Sequence, residues 1–350
     1  MNHRTRVILA VGLTVALFLG VQLGALALVE PFQEAGHQAV EDPDDPTNSL
    51  VYFGIILVAT GFMLLVFRYD VDWLIKALIV GVSVMLSWFV FAELVPPVVT
   101  VGSVNAIAVA GALAFGAALY WYPEWYVIDA TGVVMGAGAA ALFGISFGLL
   151  PAILLLAVLA VYDAISVYGT EHMLDLAEGV MDLKIPVVLV VPTTLSFSYL
   201  EDDGAADSLE ENGESSSEEP EDRHTDVADR RTAPDAAHED DSAPAAESDE
   251  IDPQRDALFI GLGDAVIPSI LVVSAAFFLE AGTIDVPGIA LNLAALGSIV
   301  GTIAGLLVLM YMVLKGRPHA GLPLLNGGAI GGYLIGALAS GLSLTAALGF

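Results

Sequence analysis

Two aspartates lie inside runs of apolar residues that are long enough to cross a lipid bilayer. Asp163 lies in the run 149–169, and Asp264 lies in the run 257–278. An aspartate at membrane depth costs roughly 2.5–3.5 kcal/mol on insertion scales, so it marks a functional site by default and needs a partner. If the two runs are antiparallel helices, each carboxyl group lies roughly 12 Å from the same membrane face, at about 1.5 Å per residue. The matched depth predicts that the two aspartates are partners.

Two carboxyl groups held across a small gap in a low dielectric cannot both ionise. Such a pair can share one proton, activate a water molecule with its ionised member and polarise a carbonyl group with its protonated member. These are the steps of peptide hydrolysis by an aspartic dyad. Near Asp264, Gly261 and Gly263 flank Leu262 and remove side chains from the chain, so a substrate backbone can approach the acid.

The composition places these aspartates in a polytopic membrane protein. The chain has 350 residues, 56% of them hydrophobic, and a mean hydropathy of +0.76. Ordinary water-soluble domains do not reach such values. We therefore expect an all-α membrane protein with nine transmembrane helices in a six-plus-three arrangement. The predicted spans are 7–29, 50–67, 73–95, 98–121, 127–147, 149–169, 257–278, 288–314 and 321–345.

Charge and residue types exclude several classes of function. The formal net charge is −30 with only 11 Lys and Arg, so neither nucleic acid nor an anionic lipid surface is expected as the main partner. The chain has no cysteine, and no second histidine stands at metal-ligand spacing from His172, so we expect no metal and no cofactor. The acidic bias suits a high-salt cytoplasm and indicates an extreme halophile.

The sequence divides into four segments. Residues 1–169 form a six-helix N-terminal membrane block, and residues 257–350 form a three-helix C-terminal block. Residues 170–200 are expected to hold an amphipathic helix and a short strand. Residues 201–256 hold 22 of the 41 acidic residues. A tract of this composition cannot bury enough apolar surface to offset its ordering entropy, so it is expected to be disordered.

The charge distribution also predicts an orientation. With the N-terminus in the cytoplasm, every Lys and Arg falls in or near a cytoplasmic segment. We therefore expect a multi-pass cell-membrane protein with its N-terminus and acidic tract cytoplasmic and its C-terminus external. The Ala25-Leu26-Ala27 sequence also fits a signal-peptide cleavage site, but the apolar run is longer than the ~7–15 residues of a signal core, which favours a retained first helix.

The strand prediction rests on a β-branched run, Ile185 to Val191, bounded by Pro186 and Pro192. A helical substrate hides its scissile carbonyls, so a protease in the membrane must unwind it, and the freed backbone groups need partners at that depth. An edge strand beside the dyad would supply those partners by β-augmentation. The alternative is an interfacial loop whose apolar side chains contact lipid.

Three motifs, in this order, resemble the presenilin and signal peptide peptidase family of intramembrane aspartyl proteases, in an archaeal, haloarchaeon-like version. They are Tyr162-Asp163, Gly261-Leu262-Gly263-Asp264 and Pro323-Leu324-Leu325. The resemblance implies that Asp163 and Asp264 are catalytic and that Tyr162 and residues 261–263 shape the site. It also implies that residues 323–325 correspond to a Pro-Ala-Leu motif beside the dyad. Leu324 stands where the family has alanine, a bulkier side chain near the expected substrate. Transmembrane peptides or signal peptides in the bilayer are the implied substrates.

Other functions fit part of this pattern. An intramembrane aspartate also serves proton and ion relays, so an Asp-coupled ion or proton secondary transporter is the alternative. Its signature would be an inverted repeat with paired broken helices, which the six-plus-three arrangement does not provide. A prepilin-type peptidase shares the Gly-x-Gly-Asp motif but would show a different loop plan and no final Pro-Leu turn. The oligomeric state stays open, and a homo-oligomer is compatible with the sequence.

Four further polar residues have simpler expected roles. Asp129 and Glu93 lie near helix ends and are expected to be solvated at the membrane interface. Asn326 and Tyr333 either line the site or pack helices together, and the sequence does not decide between the two.

Overall fold

The computed structural model describes residues 3–69, 72–169, 188–192, 198, 257–315 and 320–350. Within these ranges the chain forms a bundle of helices with two small antiparallel sheets. The helices are α1 His3–Ala27, α2 Val29–Glu34, α3 Thr47–Arg68, α4 Asp72–Leu94, α5 Ala106–Trp121, α6 Trp125–Ser146, α7 Leu149–Gly169, α8 Leu262–Phe278, α9 Leu293–Val313, α10 Gly321–Ala339 and α11 Leu344–Ala347. The strands are β1 Thr100–Val101, β2 Val104–Asn105, β3 Val188–Pro192 and β4 Ala257–Gly261. The expected amphipathic helix before β3 and the acidic tract 201–256 lie outside the described residues.

Seven of the described helices are long and apolar enough to cross a membrane, which confirms a mostly helical, multi-pass membrane protein. They are α1, α3, α4, α6, α7, α9 and α10. Helices α5 and α8 are also apolar, but they have only 16 and 17 residues. A bilayer requires about 20 residues of straight helix, so the count of nine spans rests on how these two shorter helices sit in the membrane.

Two of the predicted spans contain strand residues before their helix begins. Residues 100–105, predicted to be helical, form the β1–β2 hairpin, which turns at Gly102 with a φ of +66°. Residues 257–261 form β4 and pair with β3 instead of starting α8. In both places the apolar residues satisfy their backbone groups against a strand partner, which hydropathy cannot distinguish from a helix.

Helix α6 lies at the centre of the bundle, where it contacts α1, α4, α8 and β3. Its small residues allow these neighbours to approach. A Cβ atom at Gly144 would overlap the side chain of Val273 on α8, and a Cβ at Gly136 would lie 3.2 Å from the side chain of Leu262. Close approach through glycine is typical of helix pairs in membranes. Helix α6 therefore serves as the surface against which α8 is positioned.

Helices α9 and α10 pack through a seam of glycines. Gly301 lies so close to Gly328 that a Cβ atom on either residue would overlap the main chain of the other, and Gly297 faces Gly332 in the same way. Because neither helix presents side chains along this seam, the two backbones are in direct contact. The seam fixes the position of α10, whose N-terminus enters the candidate site.

The two polar residues of α10 whose roles the sequence left open both join elements of the bundle. Tyr333 is fully buried, and its hydroxyl group donates a 2.5 Å hydrogen bond to the carbonyl oxygen of Ala347 in α11. Asn326 is also fully buried, and its Nδ2 donates a 2.9 Å hydrogen bond to the carbonyl oxygen of Leu156 in α7. Asn326 therefore ties α10 to the helix that carries Asp163.

Candidate active site

The candidate site lies where helix ends from both halves of the sequence meet. Asp163 lies near the C-terminal end of α7, and Asp264 lies in the first turn of α8. Gly321 begins α10, and Leu322 follows it. Since α8 and α10 both start here and α7 ends here, the two aspartates lie at the same end of the bundle, as their positions in the sequence predicted.

Asp163 is held by the main chain of α10. The N–H group of Leu322 donates a 3.0 Å hydrogen bond to Oδ2 of Asp163, which is buried, with 8% of its surface exposed. The N–H groups in the first turn of a helix have no intrahelical acceptor, and they carry the positive end of the helix dipole. A carboxylate is therefore a suitable acceptor at this position.

Asp264 contacts the residue next to Leu322. A Cβ atom built on Gly321 would lie 3.3 Å from Oδ2 of Asp264, and one built on Gly261 would lie 3.6 Å from the same atom. The carboxyl group is thus enclosed by two positions that have no side chain. Asp264 is half-buried as a whole residue.

These contacts limit the distance between the two acids. Oδ2 of Asp163 lies 3.0 Å from the main-chain nitrogen of Leu322, and Oδ2 of Asp264 lies 3.3 Å from the position that a Cβ atom on Gly321 would take. A Cβ atom and the next main-chain nitrogen lie less than about 4 Å apart, so the two Oδ2 atoms are separated by no more than about 10 Å. The structure therefore brings the two predicted acids together.

Leu262, between the two glycines of the motif, anchors the start of α8 on α6. It is buried, and its Cδ1 atom lies 3.2 Å from the position of a Cβ at Gly136 and 3.7 Å from one at Gly132. Leu262 therefore points into the bundle and positions the Asp264 turn by packing. Gly263 keeps the opposite side of this turn open, since the nearest atom to a Cβ there would be Cδ1 of Ile267 at 3.9 Å.

Tyr162 contacts a different part of the bundle. Its ring packs edge-to-face against Phe53 of α3, with ring centroids 5.9 Å apart. Successive side chains on a helix point about 100° apart, so Tyr162 and Asp163 leave α7 in different directions. The described contact of Tyr162 thus positions α7 against α3.

The described contacts of the Pro323-Leu324-Leu325 segment are with neighbouring helices and not with the acids. Leu325 is fully buried in a cluster with Phe18 and Leu306, and the carbonyl oxygen of Leu324 lies against Gly305 of α9. Helix α10 reaches the aspartates through Gly321 and Leu322, which precede this segment. The larger side chain of Leu324 therefore does not prevent the close approach of α10.

Gly321 and Leu322 were not identified from the sequence, although they make the closest described contacts with the two acids. Leu322 acts through its main chain, so its residue type carries no signal. Gly321 carries a weak signal, because a glycine at the first position of a helix leaves space for a neighbouring group.

The predicted strand is present as β3 and pairs with β4, with Val190 opposite Phe259 and Val188 opposite Gly261. The expectation that Asp129 is solvated is wrong. This residue is only 4% exposed, and its Oδ1 accepts a 2.8 Å hydrogen bond from the N–H group of Val190. One edge of β3 therefore faces α6 and the other faces β4.

Glu93 also has a protein partner. Its Oε1 lies 3.2 Å from Nε2 of His37, and both side chains are about three-quarters buried. Glu93 is thus solvated only in part. Among the residues that the structure describes, no group of three His, Cys, Asp or Glu side chains is arranged to hold a metal ion.

Comparison with known proteins finds similar proteins among the presenilin-type aspartyl proteases. The sequence profile described as "Signal-peptide peptidase, presenilin aspartyl protease" matches residues 15–342. A solved structure of a presenilin family intramembrane aspartate protease in space group C222 is 31% identical, with a TM-score of 0.59, over 94% of this chain and 99% of that chain. A structure of a presenilin family intramembrane aspartate protease in space group P2 is also 31% identical, with a TM-score of 0.56, over 93% of this chain and 96% of that chain. No curated protein sequence matches this chain.

Proposed function

The chain belongs to the signal-peptide peptidase and presenilin family of aspartyl proteases, and from that premise we propose that Asp163 and Asp264 are its two catalytic acids. Its activity is intramembrane aspartyl proteolysis. The observation that carries the assignment of residues is that the two carboxyl groups contact consecutive residues, Gly321 and Leu322, at the start of one helix.

The hydrogen bond from α10 supports different roles for the two acids. Leu322 supplies an N–H donor to Asp163, so Asp163 in its ionised form is the base that takes a proton from the attacking water. Asp264 in its protonated form then donates its proton to the oxygen of the scissile carbonyl. The water oxygen bonds to the carbonyl carbon, and a neutral gem-diol forms between the two acids.

Collapse of this intermediate completes the cycle. Asp163, now protonated, gives its proton to the leaving nitrogen while the C–N bond breaks. A gem-diol hydroxyl returns a proton to Asp264 as the new carboxylic acid forms. Asp163 is again ionised and Asp264 again protonated, so the pair turns over with one water molecule consumed for each peptide bond and no other reactant.

Substrates of this site are transmembrane segments or signal peptides within the bilayer. Because β3 faces α6 on one edge and β4 on the other, we place the unwound substrate along β4, by addition of a strand to this sheet. Strand β4 ends at Gly261, three residues before Asp264. A substrate strand paired with β4 is therefore delivered directly to the acids.

The arrangement in the membrane follows from charge and helix ends. We propose that α5 and α8 also cross the bilayer, which gives nine spans, six before the acidic tract and three after it. The distribution of all 11 Lys and Arg supports a cytoplasmic N-terminus and acidic tract and an external C-terminus. In this orientation the aspartates lie closer to the cytoplasmic face.

The test is cleavage of a single-span peptide by the detergent-solubilised, purified chain, with the products identified by mass spectrometry. We expect cleavage by the natural chain and none by Asp163→Asn or Asp264→Asn, both of which should purify as folded proteins. Cleavage by either variant at a rate near that of the natural chain would rule out the assignment of these two residues.

A further inference from the structure

A third aspartate is buried in the bundle, beside strand β3, and the catalytic steps do not use it. Asp129 lies near the N-terminal end of α6 and is 4% exposed. Its Oδ2 atom is buried and has no hydrogen-bond partner among the described residues, while its Oδ1 atom accepts the N–H of Val190 at 2.8 Å. Burying a carboxyl group costs free energy unless the group is hydrogen-bonded or paired. The interaction on which this one depends is with strand β3.

The direction of the Val190 N–H group follows from the register of the sheet. In an antiparallel pair, opposite residues alternate between those that exchange main-chain hydrogen bonds and those that do not. Val190 lies opposite Phe259, and its N–H points to Asp129, so this pair does not exchange hydrogen bonds. The main-chain nitrogen of Pro192, two residues further on, points to the same side of the strand as that of Val190 and carries no hydrogen. Asp129 therefore accepts a hydrogen bond from the edge of β3 that points away from β4.

The same side of α6 also holds the motif that carries Asp264. Gly132 and Gly136 follow Asp129 at helical spacing. A Cβ at Gly132 would lie 3.2 Å from Leu189 of β3, and one at Gly136 would lie 3.2 Å from Leu262. One stripe of α6 thus contacts β3 through a hydrogen bond and a side chain, and it contacts the start of α8 through Leu262.

We propose that Asp129 is a positioning residue that holds the β3–β4 sheet on α6 in register for a substrate strand. The proposal rests on the proposed use of β4 as the docking edge. A shift of β3 on α6 should disturb the acids less than the sheet, because Asp163 accepts its hydrogen bond from Leu322 of α10 and the Asp264 turn is packed on α6 through Leu262. The loss should therefore fall on substrates that must be unwound and paired with the sheet, and should spare a short peptide that is already extended.

The experiment compares two substrates, a membrane-spanning peptide and a short extended peptide that contains the same scissile bond. Asp129→Ala removes the acceptor and leaves the Val190 N–H group buried without a partner. We expect kcat/KM for the spanning peptide to fall about tenfold, mostly through KM, with a change of less than about threefold for the short peptide. Asp129→Asn keeps an acceptor oxygen and should restore cleavage of the spanning peptide to within about threefold of the natural chain.

A second variant tests the same hydrogen bond from the strand. Val190→Pro removes the N–H group that faces Asp129, and it spares the ladder with β4 because this N–H points away from β4. It should reproduce the selective loss, and adding Asp129→Ala to it should cause no further loss beyond about twofold. Val191→Pro is the matched control, since it removes a ladder donor and should remain sensitive to Asp129→Ala. If Asp129→Ala does not fold, Val190→Pro alone tests the inference.

Three results would overturn the proposal. The first is an equal loss on both substrates, which would indicate a general structural role or a role in the chemical step. The second is an Asp129→Asn variant as impaired as Asp129→Ala, which would show that the charge matters instead of the acceptor. The third is a full additional loss from Asp129→Ala in the Val190→Pro background. Since each comparison uses natural-chain turnover as its reference, these results do not depend on whether Asp163 and Asp264 are the catalytic acids.

Discussion

The main-chain N–H group of Leu322 donates a 3.0 Å hydrogen bond to Oδ2 of Asp163, although the two residues are 159 positions apart in the sequence. This bond joins the end of α7 to the start of α10. Since Gly321 contacts Asp264, the first turn of α10 meets both acids. The relative position of the acids therefore depends on α10 as well as on the helices that carry them.

Replacing Leu322 by proline should lower activity through this hydrogen bond. Proline removes the donor, but the first turn of a helix has no intrahelical bond to lose at this position, so the fold should be kept. A hydrogen bond to a charged group contributes about 1.5–3 kcal/mol, so we expect kcat to fall about 10- to 100-fold with little change in KM. Leu322→Ala keeps the N–H group and is the control. Equal kcat values for the two variants would contradict a role for the hydrogen bond.

Gly321 should tolerate no side chain without a loss of activity. A methyl group there would lie 3.3 Å from Oδ2 of Asp264 and 3.4 Å from Cδ2 of Leu309, so one of these neighbours must move. Small displacements of catalytic groups lower rates strongly, and we expect Gly321→Ala to reduce kcat about tenfold and Gly321→Val to reduce it further. Gly327→Ala, on the same helix with nothing within 4 Å, is the matched control and should cleave normally. Normal turnover by Gly321→Val would show that the contact is unimportant.

The acidic tract should be dispensable for chemistry. Its composition does not support a packed fold, and shortening a flexible connection changes the closure entropy only slowly with length. Deletion of residues 203–250 should therefore leave peptide cleavage by the purified protein within about twofold of the natural rate. Complete loss of cleavage in a deletion variant that inserts normally would reveal a gating or catalytic role for the tract.

The proposed orientation can be tested by cysteine labelling, because the chain has no cysteine of its own. Glu41 and Lys315 are both exposed. The loop that holds Glu41 contacts the start of α7, through Pro43 and Gly148, whereas Lys315 follows the end of α9, which packs beside the start of α10 at the end of the bundle that holds the acids. In intact cells, a membrane-impermeant maleimide should label Glu41→Cys directly and should label Lys315→Cys only after the membrane is opened. The reverse pattern would place the N-terminus and the acidic tract outside.

The sequence predicts the parts of this fold that depend on composition and on rare residues. Apolar runs locate the long helices, and an aspartate inside such a run is uncommon enough to identify Asp163 and Asp264. A strand was also predicted over Ile185–Val191, from β-branched residues bounded by prolines, and the described part of that run forms β3. These features depend on residues that are close together in the sequence, so they can be predicted without knowledge of the tertiary structure.

The parts that were missed depend on tertiary contacts. Residues 257–261 are apolar enough for a helix, and only their pairing with β3 makes them a strand. Leu322 acts through its main chain, which every residue type shares. Asp129 resembles an interfacial residue because it lies near a helix end, and its burial depends on β3 covering it. In each case a partner distant in the sequence determines the structure.

The most direct test of the catalytic pair is the turnover of Asp163→Asn, Asp264→Asn and the double variant, measured together on one spanning peptide. Asparagine matches aspartate in size and relieves the repulsion between the acids, so all three proteins should fold and insert. If the two residues act as one unit, each single substitution should lower kcat at least about a thousandfold, and the double variant should be no slower than the singles. Contradiction would come from a single variant with near-natural turnover, or from losses in the double variant that multiply as they do for independent residues.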